Sequence, residues 1–260
     1  MKLPNHLRTA AAAASALVML SVVGVAVSPA HAVGGFAVIP ADSGVGPAVP
    51  AAVEISSVVN FRDALGTAGT AASAPAGESQ VGTTSLLVKD GVLWRSGKLA
   101  KASSAERETL AALLAGGTVI DLRTTKVARR SPDPRLAGVT RVAIPLTPGA
   151  YSRFVSSSTR RAAIAKAIRT VARAQGPVLI HCTYGRDRTG WTVAMIYSAL
   201  GFGEDVVRAE YLKSSGATDA KLDSGLNRAR AQYGSVQGYL EKGLKLSPDT
   251  IAALKAKLLG

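Results

Sequence analysis

The sequence predicts an α/β fold in which a central, mostly parallel sheet is flanked by helices. Short apolar runs alternate along the chain with longer segments in which apolar residues recur at spacings of three and four. The short runs predict strands and the longer segments predict helices, and their alternation is typical of parallel strands joined by helical crossovers. With 260 residues, of which 47% are hydrophobic, the chain is long enough to bury one ample core.

Turn, cap and breaker residues delimit the first predicted elements. Lys89-Asp90-Gly91 is a turn sequence, Ser103 and Glu106 form a capping box, and Gly116-Gly117 ends a helix. These signals predict a hairpin of residues 85–88 with 92–95, a helix over 103–114, and strands over 118–122 and 139–146.

The second half of the chain is predicted to be mostly helical around one strand. A helix over 159–174 has its apolar residues on one face and leads through Gly176-Pro177 into a strand that ends before Cys182. An apolar helix over 189–200 follows this strand. Three further helical stretches are predicted at residues 204–213, 222–239 with a break at Gly234, and 248–259 with Ser247 as the cap.

The single cysteine, Cys182, lies six positions before Arg188, between the apolar strand and the apolar helix. Five intervening residues are enough for a loop whose backbone N–H groups converge on a phosphoryl group at a helix N-terminus. The same positive potential stabilises a thiolate. A lone buried cysteine is ordinarily a core residue, but the agreement of loop, strand and helix favours a nucleophile for phosphate-ester cleavage.

The neighbours of Cys182 suit other roles in the same reaction. Arg188 is expected to bind two phosphoryl oxygens through its planar guanidinium and to stabilise the transition state. Gly185 is predicted to take a positive φ, at a point where a Cβ would crowd the ligand. The remaining predictions are that Thr189 donates a hydrogen bond to the sulfur, that His181 holds the loop through ring N–H bonds to backbone carbonyls, and that Thr183, Tyr184, Gly185, Arg186 and Arg188 bind the substrate.

Three aspartates are candidates for the general acid. Asp187 directly precedes Arg188 and is the preferred candidate, first protonating the leaving oxygen and then activating water. Asp121, at the end of a predicted strand, is either a supporting carboxylate or the acid itself, although such a residue more often caps a turn. Asp133 lies in Pro132-Asp133-Pro134, a turn sequence that would also suit a mobile acid loop.

Several segments resemble one known family. The run from His181 to Gly190 resembles the HCxxGxxRTG signature of the cysteine-based protein tyrosine phosphatases. Asn60-Phe61-Arg62-Asp63 resembles the N-F-R-D element of the secreted bacterial tyrosine/serine phosphatases, a branch that includes enzymes able to hydrolyse phosphoinositides. The segments 94–99 and 119–123 are similar to the next two elements of that branch, so the resemblance covers about residues 58–260.

The resemblance implies a cysteine-phosphatase-like fold, with residues 54–260 as the catalytic domain. It also implies that Arg62 and Asp63 brace the catalytic loop through an ion pair, with Asn60 in a supporting role. One position departs from the family: the branch often has lysine, a residue linked to phosphoinositide activity, where this chain has Arg186. Charge is retained there but the donor geometry differs.

The N-terminus predicts export. Lys2 and Arg8 precede an apolar stretch of small residues, and Ala30-His31-Ala32 is a cleavage sequence. Residues 1–32 are therefore predicted to be a signal peptide cleaved after Ala32, although the apolar run approaches the length of a membrane anchor. Residues 33–53, rich in Gly, Pro and Ala, are predicted to be a flexible tether, and the mature protein is predicted to be secreted without a transmembrane anchor.

Charge and composition narrow the partners. The formal net charge is +14, or +12 once Lys2 and Arg8 are removed, which favours anionic substrates such as phosphoproteins or phospholipids. Aromatic residues make up only 5% of the chain, so specific nucleic-acid binding is not expected. No metal or other cofactor is expected, and the sequence leaves the oligomeric state open.

Three classes of function remain at this stage. The first is a secreted phosphatase that acts on phosphotyrosine, with phosphoserine, phosphothreonine or phosphoinositides as further substrates, through a phosphocysteine intermediate. The second is an arsenate-reducing or sulfur-transfer enzyme, although arsenate reduction usually needs further thiols and the chain has one cysteine. The third is a catalytically idle phosphate-binding module.

Overall fold

A five-stranded sheet organises the part of the chain described by the computed structural model, which comprises Val53, residues 55–66 and residues 88–260. The strands are β1 (Arg62–Asp63), β2 (Leu93–Ser96), β3 (Thr118–Asp121), β4 (Thr140–Ala143) and β5 (Val178–His181). Their order across the sheet is β1-β2-β5-β3-β4, with β1 antiparallel to β2 and the other neighbours parallel. The predicted α/β class, with a mostly parallel central sheet, is confirmed.

Nine helices accompany the sheet in these residues. They are α1 (Ser104–Leu113), α2 (Thr125–Arg130), α3 (Tyr151–Ser156), α4 (Ser158–Arg173), α5 (Asp187–Leu200), α6 (Glu204–Leu212), α7 (Asp219–Tyr233), α8 (Val236–Gly238) and α9 (Pro248–Leu258), with a 3₁₀ turn at Leu99–Lys101 and a π turn at Tyr239–Gly243. The capping box of Ser103 with Glu106 forms as predicted, and Gly234 ends α7. The short helices α2 and α3 were not predicted, because each has too few residues to show a periodic pattern.

Both faces of the sheet are covered, as the alternation of side chains along its strands shows. On one face, Leu93, Ile120 and Ile180 belong to the large core that includes residues of α4, α5, α7 and α9. On the other, Val119 and Leu179 pack with Leu110 and Leu114, at the end of α1, in a smaller core. Because successive residues of a strand point to opposite faces, short apolar strands fill both cores at once.

The predicted hairpin is wrong at its first strand. The antiparallel partner of β2 is β1, whereas Val88 forms an isolated bridge with Leu259 near the end of the chain. Residues 85–87 lie outside the described part. The turn at Gly91 does form, with a positive φ of 74°, directly before β2. Local turn chemistry does not specify which strand a segment pairs with.

The carboxyl edge of the sheet brings distant polar residues together. Ser96, Asp121 and His181 are the last residues of β2, β3 and β5, and they lie in register across these parallel strands. Cys182 follows His181 directly. Open α/β sheets bind their ligands at this edge, so the register places the predicted loop where a ligand site is expected.

The predicted signal peptide (residues 1–32) lies outside the described part of the chain, as does the predicted tether (residues 33–53) apart from Val53. Among the residues that are described, no helix has the length and apolar character required to cross a bilayer.

Candidate active site

Residues 182–188 form a loop that joins the end of β5 to the start of α5. Cys182 opens the loop and is 2% exposed, and Arg188 is 8% exposed in the first turn of the helix. Tyr184 projects to solvent and is 60% exposed. Cys182 is therefore almost fully covered, whereas the loop reaches solvent at Tyr184.

The loop carbonyls are held by donors from outside the loop. Two segments supply these donors: Asn60 Nδ2, next to β1, donates to Tyr184 O at 2.7 Å, while at the end of β2 Arg95 Nη2 donates to Gly185 O at 2.7 Å and Lys98 N to Thr183 O at 3.2 Å. A peptide unit is planar, so its N–H points away from its C=O. Holding three successive carbonyls outward therefore turns the amides of residues 184–186 toward the loop interior.

The backbone amides of the loop lack a hydrogen-bond acceptor in the part of the chain that the structure describes. Among the described residues, no acceptor is found for the backbone N–H groups of residues 183–188. Buried amides are almost always paired, and leaving one unpaired is costly. Converging unpaired N–H groups at the start of α5, together with the positive end of the helix dipole, form a site that favours an anion.

Gly185 has the positive φ predicted for it, at 69°, but for a different reason. A Cβ at this position would lie 2.4 Å from the backbone carbon of Ser96, at the end of β2. The glycine is thus required so that the loop can approach the neighbouring strand, not to leave space for the ligand. This close approach is what brings Arg95 within reach of the Gly185 carbonyl.

Arg188 folds back across the loop. Its Nη2 donates to Thr183 Oγ1 at 2.9 Å, and its Nη1 donates to Leu122 O at 3.3 Å. These two bonds fix the guanidinium between the loop and the segment after β3, and a planar guanidinium of this kind suits two phosphoryl oxygens.

A buried arginine of β2 binds the loop directly and is itself held by an acid on α6. Arg95 Nη1 donates to Glu210 Oε1 at 3.0 Å, and its Nη2 is shared between Gly185 O and Ser214 Oγ. Burial and the charge of Arg62 lower the pKa of Arg95 to about 10, so Arg95 stays protonated at neutral pH. Glu210 also accepts from Arg62 Nε at 3.1 Å, which makes this carboxylate the link between both arginines.

The predicted ion pair of Arg62 with Asp63 is not formed. Arg62 binds Glu210, while Asp63 accepts hydrogen bonds from the backbone amides of Leu65, Gly66 and Gly91. Adjacent residues of a strand point to opposite faces, so Arg62 and Asp63 face different partners. Asp63 therefore shapes the turn before β2, and Arg62 supports the loop through Glu210.

Asn60 joins the loop of residues 182–188 to the segment after α6. Its side-chain nitrogen holds the Tyr184 carbonyl, and its Oδ1 accepts from the backbone amide of Ser215 at 2.9 Å. Asn60 has a φ of 57°, a conformation that asparagine tolerates better than most residues. The side chain thus braces the loop, which is the supporting role that the resemblance implied.

A second buried network lies behind the loop. Asp121 and Asp133 both accept from Arg123, with Nη2 of Arg123 2.9 Å from Asp121 Oδ2, and both accept from Arg141. His181 Nε2 lies 3.4 Å from Asp133 Oδ2 and 3.7 Å from Asp121 Oδ1. The two carboxylates and the imidazole are close enough to hold a metal ion. However, two guanidinium groups already neutralise these carboxylates, which favours an ion-pair network.

The network determines the charge states of its members. Burial raises the pKa of Asp121, but the hydrogen bonds from Arg123 and Arg141 outweigh it, so the net pKa lies well below the ordinary value. Burial lowers the pKa of His181 despite the two facing carboxylates, so its imidazole is neutral at pH 7. His181 Nδ1 lies 3.3 Å from the Cys182 carbonyl, the kind of backbone contact predicted for this ring.

Thr189 does not make the predicted hydrogen bond to sulfur. Its Oγ1 is buried and has no hydrogen-bond partner among the described residues. In contrast, the hydroxyl of Thr192, one turn further along α5, donates to the Arg188 carbonyl at 2.8 Å. The position next to Arg188 in the sequence was thus no guide to the direction of the Thr189 hydroxyl.

Asp187 lies in a partly exposed polar environment. Its side chain is 30% exposed and accepts from Tyr151 OH at 3.2 Å and from Arg186 Nε at 3.0 Å. Lys221 Nζ lies 3.7 Å from Oδ1. Burial and the hydrogen bond with Tyr211, at 2.8 Å between the two hydroxyls, raise the pKa of Tyr151, so its phenol remains a donor.

Sequence reasoning missed two functional positions, Glu210 and Tyr151. Glu210 follows Val207 by three residues on the buried side of α6, and a carboxylate at such a spacing signals a paired charge in the interior. That signal was available in the sequence. Tyr151 lies in the short helix α3, and no sequence signal connects it with Asp187, 36 positions away.

The chain is similar to known phosphatases. The model of the "Tyrosine phosphatase family" matches residues 53–224 and 215–260. The chain is 28% identical over 149 residues to the triple specificity protein phosphatase PtpB of Mycobacterium tuberculosis, a match that covers 42% of this chain and 53% of PtpB. It is 29% identical over 192 residues to the Cupriavidus necator protein H16_A0669, with 64% of each chain covered. The chain thus spans about half to two thirds of the length of these curated relatives.

Among solved structures, TpbA of P. aeruginosa is similar at 21% identity, with 64% of this chain and 92% of TpbA covered and a TM-score of 0.39.

Replacing Asp121 with Asn should destabilise the protein at neutral pH and make its stability depend less on pH in the acid range. A carboxylate whose pKa is lowered in the folded state contributes stability above its ordinary pKa, near 4, and that stability is lost as the pH falls. Removing one partner of a buried ion pair costs about 3 kcal/mol. The free energies of unfolding of wild type and Asp121→Asn, measured with urea, should therefore differ by about this amount at pH 7 and by clearly less at pH 3.

Asp249→Asn, at an exposed position in the first turn of α9, is the matched control and should change stability little at either pH. A loss in Asp121→Asn that is the same at pH 7 and pH 3 would show that its carboxylate charge does not stabilise the fold.

Proposed function

The chain belongs to the tyrosine phosphatase family, and from that premise we propose that it hydrolyses phosphate monoesters, with protein phosphotyrosine as the main substrate, through a phosphocysteine intermediate. The observation that carries the proposal is the loop from Cys182 to Arg188, whose amides face inward because its carbonyls are held outside. A dianionic phosphoryl group is the ligand that such a loop suits.

The reaction begins with attack of the Cys182 thiolate on phosphorus. A sulfur–phosphorus bond forms while the bond to the leaving oxygen breaks, and that oxygen takes a proton from Asp187. The loop amides and Arg188 bind the three remaining phosphoryl oxygens, on which charge spreads in the transition state. Water then attacks phosphorus, gives its proton to Asp187, and releases phosphate and the thiolate.

The low exposure of Cys182 is compatible with this route. The sulfur needs to meet only the phosphorus atom, which enters along the axis of the loop while its oxygens contact the surrounding amides. The exposed Tyr184 at the rim is suitably placed to contact the organic part of a substrate. A deep nucleophile favours esters whose phosphate stands well away from the main chain, as in phosphotyrosine.

Asp187 is better suited to the proton transfers than either alternative. Its side chain is 30% exposed, whereas those of Asp121 and Asp133 are 1% and 2% exposed. Both of the latter are bound by Arg123 and Arg141, so neither is free to give up or accept a proton at the reaction centre. Asp133 also accepts from the Leu99 amide at 2.8 Å, which fixes its loop in place.

The substrate range is proposed to centre on phosphoproteins. Phosphoserine and phosphothreonine are secondary candidates, and the name of PtpB describes that relative as a triple specificity phosphatase. Arg186 stands where phosphoinositide-active members often have lysine, and its Nε is already bound to Asp187. Arsenate reduction is disfavoured because the sequence offers no second thiol.

Replacing Cys182 with Ser should lower phosphate release from a phosphotyrosine peptide by at least about a thousandfold, because the hydroxyl is a far weaker nucleophile. Binding of the same peptide, measured by calorimetry, should persist because the loop amides and Arg188 are unchanged. Turnover near the wild-type rate in Cys182→Ser would reject the nucleophile assignment. Absence of turnover in the wild type, with binding intact, would instead indicate an idle binding module.

Asp187→Asn should slow the cleavage of esters with poor leaving groups much more than that of esters with good ones. General acid catalysis contributes about 10²- to 10⁴-fold where the leaving oxygen must be protonated, and p-nitrophenolate needs little assistance. The kcat/KM for phenyl phosphate should therefore fall about a hundredfold more than that for p-nitrophenyl phosphate. Because kcat/KM reports steps up to the phosphoenzyme, slow hydrolysis of the intermediate does not obscure the difference. Equal slowing of both substrates would point to another acid.

We also propose that the protein is secreted after removal of residues 1–32, a proposal supported by the sequence of that segment alone. Mass spectrometry of the exported protein from a bacterial host should find Val33 as the N-terminal residue. Ala32→Trp should block cleavage, because the site requires small residues. A chain that begins at Met1 and stays in the cell would contradict the proposal.

A further inference from the structure

A cavity of about 280 Å³ opens beside the carboxylate of Asp187. One wall is the segment from Gly149 to Tyr151, and the other is the first part of α7, which contributes Ala220, Lys221 and Ser224. Asp187 is the candidate donor of a proton to the leaving oxygen. The organic group attached to that oxygen must therefore lie next to this cavity when phosphate is in the loop.

The α7 wall of the cavity is positively charged. Lys221 lines the cavity with a side chain that is 42% exposed. Asp219 and Asp223, two positions before and after it, do not line the cavity, because both bind Arg208 at 2.6 Å. The acids of α7 are thus engaged with Arg208, whereas its lysine, 3.7 Å from Asp187 Oδ1, faces the cavity beside the proposed substrate position.

The opposite wall adds positive charge. A Cβ built at Gly149 would lie 3.3 Å from Arg160 Nη2 and 3.7 Å from Arg153 Cδ, so both side chains pass close behind this glycine. Arg160 donates only to the backbone carbonyls of Thr147 and Pro148, and in the described part of the chain neither arginine has a carboxylate partner. Asp187 is the one acidic residue of the cavity lining. Cationic side chains in the lining and next to Gly149 therefore outnumber the one carboxylate of the lining, which favours an anionic group here.

We propose that this cavity is a specificity subsite, in which Lys221 binds the carboxylate of an acidic side chain adjacent in sequence to the phosphorylated residue of a protein substrate. The inference rests on the proposed phosphatase function and on Asp187 as its general acid. It adds that flanking charge selects among phosphoproteins. Lys221 would be a substrate-binding residue that takes no part in bond cleavage.

The size of the cavity favours an amino-acid side chain over a lipid headgroup. Cavities that enclose whole small molecules span about 300–1,000 Å³, and this one lies below that range with part of it next to Asp187. A Glu or Asp side chain needs only a fraction of the volume. A headgroup that carries several phosphates would need cations on all sides, whereas Ala150, Ala220 and Ser224 supply much of the lining.

The test compares matched phosphotyrosine peptides that carry either Glu or Ala on each side of the phosphotyrosine. The wild type should show a kcat/KM about fivefold higher for the acidic peptide, the size expected for one partly exposed ion pair. Lys221→Ala should bring the ratio close to one, and Lys221→Arg should keep it. Lys221→Glu should reverse the preference toward peptides that carry Lys, a result that a purely structural role would not give.

Lys166→Ala is the matched control, since it removes an equal charge from an exposed position on α4 and should leave the ratio unchanged. An acidic preference that survives in Lys221→Ala and Lys221→Glu would overturn the subsite. A loss of activity in Lys221→Ala that is confined to vesicles containing phosphatidylinositol phosphates would also overturn it, because this result would assign the cavity to a lipid headgroup. Failure of the wild type to hydrolyse p-nitrophenyl phosphate would instead refute the phosphatase function itself, so the two failures are distinguishable.

Discussion

The candidate site depends on one constraint: the carbonyls of the loop after Cys182 are held on its outer side. Each peptide plane couples an outward carbonyl to an inward amide, so the donors from Lys98, Asn60 and Arg95 create the anion site without touching the anion. These donors come from two segments before the loop, one next to β1 and one at the end of β2. The sheet aligns the strand ends, and the loop conformation follows from that alignment.

Buried charge supports this arrangement from two directions. On one side, Glu210 of α6 binds Arg62 and Arg95, and on the other, Asp121 and Asp133 share Arg123 and Arg141. Such networks are costly to bury and are not efficient sources of stability. Their geometry, however, is specific, because an incorrect packing would leave a charge unpaired in the interior. Such pairing favours one packing of the segments that hold the loop after Cys182.

Several of the basic residues of the chain lie close to the candidate site. A net charge of +14 by itself indicates only a preference for anionic partners. The structure places Arg186 and Lys221 against the carboxylate of Asp187 and leaves Arg153 and Arg160 near the adjoining cavity. At the same time, the acids of α7 are bound to Arg208. Four of the basic residues thus lie near the position proposed for the part of the substrate beyond the phosphate.

The sequence by itself determined the α/β class, most of the longer helices, the strand before Cys182 and the loop from Cys182 to Arg188, because periodicity, caps and the strand–loop–helix pattern are local properties of the chain. It also pointed to Gly185, although the Cβ at that position would collide with β2 and not with a ligand. Only the tertiary structure decided which charges pair. Arg62 binds Glu210, which is 148 positions away, and not the adjacent Asp63; the hydroxyl of Thr189 has no described partner; and Tyr151 reaches Asp187 from a helix too short to predict. The physical reason is that a side-chain contact between distant segments depends on strand register and helix packing, and both are decided by burial across the whole domain.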